Sequence, residues 1–80
     1  MTRSLATIAA EVRADWKNVN YGAVPYLDAM ATLDRITEHY YMDSAATVVI
    51  YFLSNATTWR GEVAKRVKAE LKEMLKGVNL

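Results

Sequence analysis

Eighty residues without cysteine make one domain that can bury only about 60–65% of its unfolded surface, and they exclude disulfide staples and thiolate metal sites. A hydrophobic share of 52% is high for so small a core, which points to oligomerisation unless the alanines act only as helix spacers. The formal net charge of +1 excludes a general pull on nucleic acid, but the last 21 residues carry six basic against three acidic side chains and form a locally basic tail.

Taken in chain order, the first helix is expected over 4–18, capped by Thr2 or Ser4. Leu5, Ile8, Ala9, Val12 and Trp16 recur at three- and four-residue spacing, with Val19 as a possible continuation, while Arg3, Glu11, Arg13, Asp15 and Lys17 fall on the other faces. Trp16 reads as a core anchor. The asparagines, glycine and proline of 18–25 make a connection, and Pro25 suits the first turn of a second helix over 25–37 with Tyr26, Met30, Leu33 and Ile36 inward.

Glu38-His39-Tyr40-Tyr41-Met42-Asp43 joins two helices and holds the single histidine beside adjacent tyrosines. Two readings fit. Tyr40 and Tyr41 form an aromatic recognition surface with His39 as a titrating or hydrogen-bonding group, or they cover the bundle end with their hydroxyls in water.

The run Ala45-Ala46-Thr47-Val48-Val49-Ile50-Tyr51-Phe52-Leu53 has no polar face and is expected at the centre of the fold. Its β-branched and aromatic residues equally allow a buried strand. Helix is the better reading because no second strand is present to pair with it; the third helix then spans 44–55, with Asp43 or Ser44 as N-cap. Thr57 or Thr58 is expected to cap a fourth helix over 59–76, closed by a left-handed Gly77.

On that helix Val63, Ala64, Val67, Leu71, Met74, Leu75 and Val78 form an apolar face. Lys65, Lys68, Lys72 and Lys76 line one flank, and Glu62, Arg66, Glu70 and Glu73 the other. The lysine row would follow a phosphate backbone or meet an acidic partner, or it is simply a solvated face with its stems over the core edge. At the junction, Gly61 suggests a close backbone approach or a passing partner. Trp59 and Arg60 are types that anchor interfaces; alternatively Trp59 caps the core beside Trp16 and Arg60 pairs with an acidic neighbour.

Catalytic patterns are weak. One histidine and no cysteine leave no nucleophile–base–orienter set, Asp34, Glu38 and His39 lack a dedicated metal spacing, and there is no glycine-rich phosphate loop. No metal, cofactor or small-molecule ligand is therefore expected. No signal-peptide pattern or apolar run of about 20 residues occurs, so a soluble cytoplasmic protein with no membrane contact is expected.

Gly22-Ala23-Val24-Pro25-Tyr26-Leu27-Asp28-Ala29-Met30 and Tyr51-Phe52-Leu53-Ser54-Asn55-Ala56-Thr57-Thr58-Trp59-Arg60-Gly61-Glu62 resemble small proteins of unassigned function encoded by bacteriophages of actinobacteria. The resemblance implies an accessory protein in the host bacterial cytoplasm and assigns no site residue. The sequence thus describes an all-α bundle of about four short helices with a buried, apolar third helix. Its expected function is non-enzymatic interaction with a host protein or with itself through Tyr40, Tyr41, Trp59 and Arg60. The alternative is a weak nucleic-acid-associated regulator using Lys65, Lys68, Lys72 and Lys76.

Overall fold

The computed structural model describes residues 3–40 and 43–78. Four α-helices form: α1 (Leu5–Asp15), α2 (Val24–Met30, entered through a 3-10 turn at Tyr21–Ala23), α3 (Ala45–Ser54) and α4 (Glu62–Lys76). Two short strands, β1 (His39–Tyr40) and β2 (Asp43–Ser44), pair antiparallel with His39 opposite Ser44. The all-α bundle expected from periodicity is the fold observed.

α2 packs on α1 and α3, and α4 packs on the same two, so α2 and α4 lie diagonally across the core. Into the space between them go Leu5, Ile8 and Val12 of α1, Leu27 and Met30 of α2, Val49 and Phe52 of α3, and Val67 and Leu71 of α4, all fully buried. Among the described residues no polar or charged residue is buried with them.

Each helix is shorter than its apolar pattern, and backbone hydrogen bonds say why. The carbonyls of Leu33 and Asp34 accept from the N–H groups of Ala6 (2.8 Å) and Leu5 (3.0 Å), and Ser4 Oγ accepts from Thr7 N–H at 3.0 Å. These bonds satisfy the first-turn donors of α1 that no helix can satisfy internally. They also take the 33–34 segment away from α2, which closes at Met30 instead of running to 37. Thr32 assists by donating its hydroxyl to the Ala29 carbonyl at 2.8 Å.

α1 stops at Asp15 rather than 18 because Trp16 turns extended (φ −88°, ψ 94°). α3 is capped by Ser44, whose Oγ accepts from Thr47 N–H at 3.1 Å. α4 begins at Glu62, three residues later than expected, with Gly61 as N-cap and no side-chain cap from Thr57 or Thr58. Gly61 has φ +113° and ψ −178°, and a Cβ there would meet nothing within 4 Å. Backbone conformation, not close approach, is what requires glycine at this position. Gly77 keeps a right-handed φ of −84°, so α4 ends in tightened i to i+3 bonds, Gly77 N–H to Met74 O at 3.3 Å and Val78 N–H to Leu75 O at 3.1 Å, rather than in a left-handed cap.

Candidate interaction surfaces

The ring of four helices encloses only one side of α3. Ala45, Ala46, Val48, Val49 and Phe52 are buried, whereas Ile50 and Tyr51 remain 36% and 50% exposed on the same helix. At about 100° per residue, Thr47, Ile50, Tyr51 and Ser54 fall on one outward edge, which the core cannot reach. The sequence pattern of this run is apolar throughout, so it does not reveal which side faces outward.

Neighbouring residues widen that edge into an aromatic face. Tyr26, expected inward, is half-buried and stacks on Tyr51 with ring centroids 5.6 Å apart and planes at 26°. Tyr21 is 91% exposed and, with Val24, Pro25 and Asp28, lines a shallow depression on α2. The Tyr21 turn is held against the end of α3 by Asn20 Nδ2, which donates to Asn55 O at 3.0 Å; Asn55 Nδ2 in turn donates to Tyr51 O at 2.9 Å. Gly22 lies against this contact: a Cβ there would stand 2.6 Å from Asn55 Oδ1, so the Asn55 side chain would have to shift. Tyr21, Val24, Ile50 and Tyr51 are the exposed large apolar residues among the described positions.

Trp59, chosen from sequence as an anchor, lies elsewhere. Tyr41 is outside the described residues, and of Tyr40 only the backbone pairing in β1 is described. Trp59 is 2% exposed, so it presents almost no area to a partner. Its ring stacks on Trp16 (5.8 Å, 12°), Phe52 meets both indoles edge-on, and its Nε1–H donates to Asp15 Oδ2 at 2.8 Å. This is the core-capping role that pairs Trp59 with Trp16. His39 is exposed on β1, and Glu38 Oε1 accepts from Asp34 N–H at 2.9 Å, closing the 34–38 turn. Among the described residues no three metal-ligating side chains come together.

The two flanks of α4 differ in their partners. On the acidic side Glu70 pairs with Arg3 (2.6 Å), Arg3 also reaches Glu11 Oε1 (2.7 Å), and Arg66 pairs with Glu11 Oε2. Hydrogen bonding to Arg3 first, and to Arg66 second, holds the Glu11 carboxyl below the usual glutamate value against the opposing effect of burial. The lysine flank receives no such answer, because α3 contains no charged residue. Lys68 Nζ donates to Trp59 O at 2.6 Å and sits 5.9 Å from the Trp59 ring centroid. Burial, with repulsion from Lys72 and Arg60, lowers the affinity of Lys68 for its proton. Lys76 leans toward Glu73 at 3.4 Å, but among the described residues Arg60, Lys65, Lys68 and Lys72 have no carboxylate within ion-pair distance.

No protein-family model, curated protein or solved structure matches the chain. Among the described residues no helix is long and apolar enough to cross a membrane.

Proposed function

We propose that the protein is a non-enzymatic interaction module whose contact surface is the aromatic face of α2 and α3. The observation that carries this reading is the exposure of Ile50 and Tyr51 on the most apolar helix of the chain, flanked by Tyr26 and a 91% exposed Tyr21. Tyrosines with apolar neighbours supply large contact area while losing little side-chain entropy on docking, and interfaces draw their main anchors from such residues. The resemblance of Gly22–Met30 and Tyr51–Glu62 to actinobacterial phage proteins adds a setting: an accessory protein in the host cytoplasm that engages a host protein or a second copy of itself. Both resembling stretches contain residues of the aromatic face.

Sedimentation velocity across a concentration series, on the native chain and on an Ile50→Gln/Tyr51→Gln variant, tests the reading. Association of the native chain that disappears in the variant supports a self-contact through this face. A monomer at every concentration assigns the face to a different protein. Association that persists unchanged in the variant removes the face from the account.

A further inference from the structure

A second surface lies on α4, diagonal to α2. Lys65, Lys68 and Lys72 succeed one another along one flank, and Arg60 stands just before the helix, close enough to Lys68 to repel its charge. The acidic residues of α4 do not neutralise them: Glu70 is held by Arg3, Glu73 faces Lys76, and among the described residues Glu62 makes no ion pair with any of them. Lys68 is fixed through the Trp59 carbonyl, while Lys65 and Lys72, one turn to either side, are exposed and among the described residues make no side-chain hydrogen bond. We propose that Arg60, Lys65, Lys68 and Lys72 form a strip that holds the phosphate backbone of duplex nucleic acid without reading its bases.

Spacing and surroundings choose this partner over other anions. The seven residue steps from Lys65 to Lys72 span about 10 Å of helix, and each strand of a duplex presents one phosphate per about 3.4 Å of axis, so three lysines meet about three phosphates. A single strand would need exposed rings on which to stack its bases, but the indoles beside the strip are spent in the core, Trp59 at 2% and Trp16 at 7% exposure. An acidic protein segment would need apolar anchors beside the charges, because exposed ion pairs alone bind weakly. The exposed large apolar residues described are on α2, α3 and the turn before α2, none on α4. Release of condensed counterions, by contrast, gives affinity to a row of cations with no anchor at all.

The test is fluorescence anisotropy of a labelled mixed-sequence DNA duplex with the full chain over a salt series. Four phosphate contacts predict a log K against log salt slope of about −3.6, or about a hundredfold loss between about 50 and 200 mM salt. Lys65→Glu/Lys72→Glu should lose at least about tenfold at low salt and flatten the slope by about 2, whereas Lys65→Arg/Lys72→Arg should retain binding. Arg13→Glu/Arg35→Glu makes the same change in net charge away from the strip and should bind nearly as the native chain does. Circular dichroism checks that each variant remains helical. The proposal is overturned by no binding at the lowest salt, by equal losses in both glutamate variants, by tighter binding to a single strand, or by polyglutamate competing as well as duplex at equal charge.

Discussion

At Gly61 and Glu11 single residues carry constraints that the rest of the chain cannot replace. Gly61 occupies φ +113° with ψ −178°, a region essentially closed to L side chains, although a methyl group would find open space there. Gly61→Ala should therefore destabilise the fold by about 1–3 kcal/mol, read by urea denaturation; a neutral result would mean that the chain can enter α4 by another route. Glu11 joins α1 to α4 through Arg3 and Arg66. Because its carboxyl titrates below the ordinary value in the folded protein, its stabilisation is complete above the unfolded value of about 4.3 and is lost as pH falls through the folded-state value. Glu11→Gln should cost about 1 kcal/mol near neutrality, with the difference closing in acid, in denaturation curves at several pH values. A constant difference at every pH would show that the charge is not what stabilises.

At the scale of the element, boundaries depend on partners far away in the chain. The existence and faces of α1 and α4 were legible because Leu5, Ile8 and Val12, and later Val67 and Leu71, repeat with the helical period. The end of α2 was not legible: its continuation is cut off by α1, whose Leu5 and Ala6 N–H groups claim the Leu33 and Asp34 carbonyls. The aromatic face was hidden for a related reason. A run as apolar as Ala45–Leu53 gives no sign of which edge the ring leaves open, and only the hydrophobic excess of the whole composition hinted that something apolar stays outside. Trp59, by contrast, drew attention as an anchor through its residue type, while its stacking on Trp16 and its bond to Asp15 decide its role. Trp59→Phe removes both the bond and part of the ring, and a loss of about 1–2 kcal/mol in chemical denaturation is expected. Ser44→Ala, which deletes the α3 cap, should cost about 1 kcal/mol in the same measurement.

For the whole molecule, the arrangement of helices separates two kinds of surface. α2 and the outer edge of α3 present rings and aliphatic side chains, and α4, diagonal to α2 and packed on α3, presents unpaired cations. A chain of this size has few residues to spare from its core, so the exposure of Ile50 and Tyr51 costs solvation free energy that their burial against a partner would recover. Ile50→Gln/Tyr51→Gln should accordingly leave folding stability within about 1 kcal/mol while abolishing association. The most direct measurement is photo-crosslinking with a benzophenone amino acid placed singly at Tyr21, Tyr51, Arg35 or Lys65, in cells that supply the native partners. The account predicts protein adducts, with another chain or a second copy, from positions 21 and 51 but not from 35 or 65, and their loss when Ile50→Gln is added. Adducts of equal yield from all four positions, or from 35 and 65 alone, would contradict it.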